Sequence, residues 1–168
     1  MHQNSRIEMR ALTIWQPWAS LIVSGPKRIE NRTRKPWARL MNQLIGIHAG
    51  RRVDDHAVAH FSKRYELARP LPHGALIGFA RIAGTIEASD DEWFHGPIGI
   101  QLADVVAYPK SLPMKGAQGY WSVLDRFSDD QREHWRERTA MRCRDDAMTG
   151  ELARWWAVYD VLRERGRP

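Results

Sequence analysis

Hydrophobic and polar residues alternate in several short segments, and this pattern predicts a sheet of short strands. The first segment reads Ala-Leu-Thr-Ile-Trp and the next good one Gln-Leu-Ile-Gly-Ile-His. Alternation with β-branched side chains is typical of strands that bury one face. The predicted strands are residues 11–15, 28–33, 43–48, 74–82, 98–107 and 120–124.

Helical spacing is found in two segments among these strands. Pro17 suits the first turn of a helix, because its missing N–H would have no partner there. Gly25 followed by Pro26 is a typical helix end. Apolar residues recur at helical spacing between these signals, which predicts a helix over 17–24. A second helix is predicted over 54–67, opened by acids that favour the positive end of the helix dipole.

The pattern changes after residue 127. Ser128 followed by Gln131 fits a capping box, which predicts the start of a charged helix. A further helix from about 151 carries an apolar stripe, which we interpret as packing on the sheet, although a face that binds a protein partner has the same pattern. We therefore divide the chain into one domain over 11–126 and a C-terminal helical extension over 127–168.

The positive charge of the chain is local. The formal net charge is +6, and the window 27–53 holds eight Lys or Arg residues against one acid, Glu30. Outside this window acids and bases nearly balance. A cluster of this kind predicts a surface that faces an anionic partner.

Composition excludes several classes of protein. Cys143 is the one cysteine, so no internal disulfide framework can form. No apolar stretch approaches the ~20 residues that span a bilayer. His56 and His60 have the i, i+4 spacing of half a zinc site but lack a third ligand nearby, so we expect no metal and no cofactor. These features predict a soluble, cytoplasmic protein.

Two blocks of sequence carry a family resemblance. The first, residues 12–32, contains Gln-Pro-Trp-Ala-Ser-Leu-Ile and then Gly-Pro-Lys-Arg-Ile-Glu-Asn-Arg; the second contains Gly96-Pro97 and, further on, Lys115-Gly116, Gly119 and Trp121. Together they closely resemble the signature of ASCH domains, a branch of the PUA-like superfamily. The resemblance covers about residues 11–125.

The resemblance implies an α+β fold, namely a small PUA-like β-barrel with flanking helices and a cleft beside the early helix. Relatives bind RNA or DNA, and some are ribonucleases or amidohydrolases that remove acetyl from N4-acetylcytidine. We therefore expect a protein that binds RNA or single-stranded DNA, or a nucleoside. The alternative is a metal-independent hydrolase that acts on RNA or on a modified nucleoside.

Lys27, Glu30 and Arg32 are the first candidate group. Residues two apart on a strand share a face, so Glu30 and Arg32 should point the same way. One interpretation makes Glu30 a base and Lys27 a donor to phosphate or to a developing oxyanion. The other is an ion pair that holds the helix-to-strand turn. The amidohydrolases have a threonine where Glu30 stands, and Ser122 is the best remaining hydroxyl for a catalytic role.

The remaining candidates would bind nucleic acid. Phosphate contacts are expected from basic residues of the window, and these add affinity without sequence preference. Trp37 is the preferred platform for a stacked base. Gln16 either reads a base edge or satisfies the backbone near Pro17, and His48 is either a proton shuttle or a buried histidine of the barrel. The expected phosphate contacts are Arg28, Arg32, Arg34, Lys35, Arg51 and Arg52.

Overall fold

Six strands form one mixed sheet in the computed structural model, which describes residues 8–164 of the chain. Their order across the sheet is β2-β5-β4-β3-β1-β6. The strands are β1 Arg10–Gln16, β2 Ile29–Arg32, β3 Leu44–Val53, β4 Ala75–Ile86, β5 Ile98–Pro113 and β6 Tyr120–Ser122. All six predicted strands are confirmed; β3, β4 and β5 extend beyond their predicted ends, and β6 ends two residues before its predicted end.

Within residues 8–164, four α-helices accompany the sheet. They are α1 Trp18–Val23, α2 Asp55–Phe61, α3 Asp129–Asp145 and α4 Gly150–Glu164. The predicted capping box opens α3, with the Ser128 hydroxyl accepting from the backbone N–H of Gln131 at 3.3 Å. Helix α2 is shorter than predicted. Residues 62–64 are polar and exposed, so no apolar stripe continues the helix past Phe61.

Strand β1 pairs in parallel with β3, whereas the other ladders are antiparallel. The chain between β1 and β3 passes through α1 and β2, which provides the long connection that parallel pairing requires. In this register Thr13 lies opposite His48. The parallel ladder thus brings together side chains that are 35 positions apart.

The two faces of strands β1 and β3 pack against different parts of the protein. Leu12 and Ile14 of β1 join Ile45 and Ile47 of β3 in a core that also contains Ile22 of α1. Alternate residues on these strands point to the other face, because side chains on a strand alternate in direction.

Helix α4 covers one end of that other face. Trp155 stacks on Phe79 with ring centroids 6.0 Å apart and donates a hydrogen bond to the carbonyl oxygen of Leu44. Gly46 makes room for this ring, since a Cβ there would lie 2.8 Å from it. The apolar stripe predicted for the C-terminal helix therefore packs on the sheet. At the other end of the strands the face stays open.

The sheet is barrel-like but not closed by a backbone ladder among the described residues, because β2 and β6 remain its two edges. A side chain partly bridges the gap: Nη2 of Arg32 on β2 donates to the backbone oxygen of Thr13 on β1 at 3.0 Å. The α+β class and the flanking helices are confirmed. Within residues 8–164, no helix combines the length and apolarity needed to cross a membrane.

Candidate nucleic-acid interface

An open cleft of about 1320 Å³ lies over the uncovered end of β1 and β3. Thr13 and Trp15 enter it from β1, and His48 and Gly50 enter it from β3, as strand alternation requires. Strand β2 and the loop 113–119 form the remaining walls. This cleft is called the basic cleft below, because of the side chains that line it.

Four cationic side chains line the basic cleft: Arg32, Arg51, Arg52 and Lys115. Arg32 is paired with Glu30 at 3.0 Å. In the described part of the chain, Arg51, Arg52 and Lys115 form no ion pair with an acid and are exposed. Their charge is therefore available to an anion.

Trp15 presents an indole ring at the basic cleft. The residue is 45% exposed, which is unusual for a large apolar side chain on a strand. The guanidinium carbon of Arg52 lies 3.8 Å from the ring centroid, a cation–π contact. An aromatic ring beside a cation can bind the face of a base and its phosphate together.

The floor of the basic cleft contains a buried ion-pair group. Glu30 faces the cleft, with one carboxylate oxygen 2.8 Å from the ammonium of Lys27 and the other 3.0 Å from Arg32. Lys27 is only 3% exposed and also donates to the backbone oxygen of Ile29. Burial lowers the pKa of Lys27, and the neighbouring Glu30 carboxylate partly opposes that shift. Lys27 thus contacts Glu30 rather than the solvent.

Two buried polar atoms of this region have no hydrogen-bond partner in the described residues: Nε of Arg32 and the hydroxyl of Tyr120. Burial raises the pKa of Tyr120 to about 12; the charge of Arg32 opposes this rise and that of Glu30 adds to it. Buried polar groups usually find a partner. Both atoms are enclosed, and neither has a partner among the described residues.

Thr13 and His48 form a hydrogen-bonded pair on the strands of the basic cleft. Nδ1 of His48 lies 3.2 Å from Oγ1 of Thr13, and Nε2 lies 2.8 Å from the backbone oxygen of Met114. The indole N–H of Trp121 donates to the same Thr13 oxygen at 3.0 Å. Burial lowers the pKa of His48, and the bond to the Met114 carbonyl opposes this shift.

The structure brings only part of the predicted site into the basic cleft. Glu30, Arg32, Arg51 and Arg52 line it. Arg28, Arg34 and Lys35 are exposed but do not line it, and Lys35 is paired with Glu87. The basic window therefore separates into a cleft-lining set and a set elsewhere on the surface.

Other predicted residues have structural contacts. Gln16 is fully buried, donates to the Pro72 carbonyl and accepts from the N–H of Ser20. It is thus inaccessible to a base, and the backbone-satisfying interpretation fits. The Ser122 hydroxyl accepts from the N–H of Asp125 and lies outside the cleft lining, so it is poorly placed as a nucleophile there.

Trp37 is exposed to the same 45% as Trp15 but does not line the basic cleft. It carries its own cation–π contact, with the guanidinium carbon of Arg39 4.6 Å from the ring centroid. The sequence distinguished Trp37 by its polar surroundings. It contained no signal for which of the two exposed indoles would face the cleft.

Sequence reasoning missed Thr13 and Lys115 as site residues, and it left His48 undecided. Lys115 belongs to the second family block, so its position there was a usable signal. Thr13 had no signal of its own, because its significance depends on its pairing with His48. Among residues 8–164, no group of three or more His, Cys, Asp or Glu side chains is placed to hold a metal ion.

Comparisons with known proteins bear on the fold and the family. The family model described as ASCH domain matches residues 12–164, which includes helices α3 and α4. A search among curated proteins found no match. Among solved structures, the chain is similar to an ASCH protein from Zymomonas mobilis at 18% identity and a TM-score of 0.44, covering 75% of this chain and 92% of that chain. A mutant of the Zymomonas mobilis protein gives 20% identity and a TM-score of 0.44, covering 69% of this chain and 88% of that one.

Proposed function

This chain belongs to the ASCH domain family, and we propose that it binds RNA or another single-stranded nucleic acid in the basic cleft. One observation carries the proposal: Arg51, Arg52 and Lys115 converge on one cleft without acidic partners among the described residues. Unpaired cations in a concave site attract a polyanion more strongly than the same charges dispersed on a flat surface.

The exposed ring of Trp15 favours unpaired bases over duplex. A base stacked on such a ring contributes about 1–3 kcal/mol, and every base offers a suitable face. Duplex DNA hides these faces within its own stack. Arg52 lies over one side of the indole, and the proposal places a base against the other side.

Glu30 and Arg32 contribute a different kind of contact. Glu30 accepts and Arg32 donates hydrogen bonds, and both line the floor. A base edge carries donors and acceptors that match such a pair, whereas a phosphate would be repelled by the carboxylate. We propose that phosphates lie along Arg51, Arg52 and Lys115, with one base directed to the floor.

The hydrolase alternative places Glu30 at the reacting group and Lys27 behind it. Lys27 could affect such a reaction only by holding Glu30 in place, because its own ammonium is enclosed and cannot reach a substrate. Turnover of labelled RNA or of N4-acetylcytidine in EDTA, lost in Glu30→Gln, would support the alternative. No product from either substrate would exclude it.

The binding proposal is tested with a fluorescent single-stranded oligonucleotide, as RNA and as DNA, in anisotropy titrations at several salt concentrations. Replacing Arg51, Arg52 and Lys115 with Ala should weaken binding. The slope of log affinity against log salt concentration should also become shallower, by about 0.7 for each phosphate that the variant no longer binds. The matched control replaces three exposed cations that do not line the cleft, namely Lys63, Arg69 and Lys110. Equal effects of the two triple variants would overturn the proposal.

A further inference from the structure

We propose that Thr13 is a nucleophile and His48 its general base, and that the pair cleaves a carboxylic ester carried on an anionic molecule. This activity goes beyond nucleic-acid binding and does not depend on it. It rests on the hydrogen-bonded pair and on its position in the basic cleft.

The hydrogen bonds define the direction of proton transfer. Nε2 of His48 lies 2.8 Å from the carbonyl oxygen of Met114, which can only accept, so this nitrogen carries the proton. Nδ1 is then the basic nitrogen, and it lies 3.2 Å from Oγ1 of Thr13. A hydroxyl beside a base that is oriented by a third group is the arrangement that activates a nucleophile.

The surroundings hold His48 in its neutral, basic form. Burial lowers its pKa from the ordinary value, so the ring is unprotonated at neutral pH. When it takes the Thr13 proton, the Met114 carbonyl stabilises the resulting cation through the bond at Nε2. The indole N–H of Trp121 donates to Oγ1 of Thr13 and would stabilise negative charge as it develops on that oxygen.

A glycine covers this pair closely on the loop side, and both side chains also line the basic cleft. Gly116 packs against both side chains, and a Cβ at that position would lie 2.6 Å from Nδ1 of His48 and 2.8 Å from Oγ1 of Thr13. Thr13 lines the basic cleft together with Arg51, Arg52 and Lys115. These cations would hold a phosphate or carboxylate of the ester's carrier.

The reaction balances with water as the only co-reactant. Oγ1 of Thr13 bonds to the carbonyl carbon while its proton passes to Nδ1 of His48 and the carbonyl electron pair moves to oxygen. Collapse of this species breaks the bond to the alcohol oxygen, which takes the proton from His48. Water then attacks the threonyl ester, releases the acid and restores Thr13.

An ester fits this site better than an amide. The leaving alkoxide needs less help from an acid than a leaving amine does. His48 is 2% exposed, so its proton reaches only a leaving group held directly against Nδ1, and a leaving amine depends on that proton more than a leaving alkoxide does.

The test uses p-nitrophenyl acetate as the probe, on the full chain in a Cys143→Ser background, because Cys143 is exposed and would itself be acylated. Release of nitrophenolate is followed together with peptide mapping of the acetylated residue. We expect acetyl on Thr13, retained in Thr13→Ser and absent from Thr13→Val. His48→Gln should slow acylation about 100-fold or more, within the usual range for loss of a general base. The rate should fall on acidification through a pKa below that of free histidine.

Acetyl found only on lysines or on the N-terminus, or equal rates in Thr13→Ser and Thr13→Val, would overturn the proposal. If His48→Gln does not fold, the proposal is still tested by comparing Thr13→Ser with Thr13→Val. Circular dichroism checks that both of these variants are folded. The assay contains no nucleic acid, so a negative result leaves the binding proposal unaffected. A failure to bind nucleic acid likewise leaves the esterase proposal unaffected.

Discussion

The ammonium of Lys27 lies 2.8 Å from a carboxylate oxygen of Glu30, beneath the floor of the basic cleft. The contact connects the segment after α1 to strand β2. Glu30 also forms an ion pair with Arg32 on the same strand. The position of the carboxylate at the floor thus depends on an enclosed cation. This relationship makes Lys27 a positioning residue for the cleft.

Lys27→Met should destabilise the protein, although by less than the about 3–5 kcal/mol expected for a buried charge left wholly unpaired, because Glu30 keeps its contact with Arg32. Urea unfolding followed by tryptophan fluorescence measures this change. The double variant Lys27→Met, Glu30→Gln should be destabilised by less than the two single variants combined. Lys63→Met, at an exposed position, should change stability by less than about 0.5 kcal/mol. An effect of Lys27→Met no larger than that of Lys63→Met would mean that the pair is not enclosed in solution.

Stability should fall on acidification through the titration of His48. Burial lowers the pKa of His48 in the folded state, so between that pKa and the ordinary value of 6.5 the unfolded chain binds more protons. The contribution of neutral His48 to the free energy of unfolding is fully present above pH 6.5. It declines as the pH falls toward the lowered pKa of the folded state. Unfolding free energies measured across this range should show the decline in the parent and a flatter curve in His48→Gln. Parallel curves for the two proteins would contradict the expectation.

Trp15→Ala should weaken binding of a single-stranded oligonucleotide by about 1–3 kcal/mol, the usual contribution of one stacked base. Trp37→Ala is the matched control, because both rings are 45% exposed and both contact an arginine. Since Trp37 does not line the cleft, its replacement should have the smaller effect. Anisotropy titrations of the two variants under one salt condition decide the matter. A larger effect of Trp37→Ala would move the stacking platform out of the cleft.

Trp155→Ala should destabilise the protein by about 3–5 kcal/mol, because it leaves a cavity between α4 and the sheet. The residue is 1% exposed and packs on Phe79. Met141→Ala, at an exposed position on α3, should have little effect. Thermal or urea unfolding measures both. Equal stabilities would show that α4 docks only loosely and would revive its interpretation as a partner-binding face.

Local patterns were enough to predict the strands and the first helix. The signals at Pro17 and Gly25 act over a few residues, and α1 lies between them. The capping box at Ser128 was equally local. The division between a domain ending at 126 and an extension after it stays a prediction. The family model extends through α4 to residue 164, and residues 165–168 lie outside the described part.

The site was less predictable, because it depends on contacts between distant segments. Nothing in the sequence near Lys27 indicates that its ammonium is enclosed, since this follows from the packing of α1 against the sheet. Thr13 and His48 meet only because β1 and β3 pair in parallel in one register. Gln16 illustrates the same limit: its bond to Ser20 is local, but its bond to the Pro72 carbonyl spans 56 positions.

The parallel ladder between β1 and β3 also has a kinetic consequence. Thr13 and His48 each lie on a strand, and the pairing of these two strands brings them together. Neither residue lies on a loop that must close. The fold therefore holds the pair in hydrogen-bonded contact before a ligand arrives. Association with the cleft should consequently be governed by diffusion and charge, with no slow isomerisation in the approach to equilibrium.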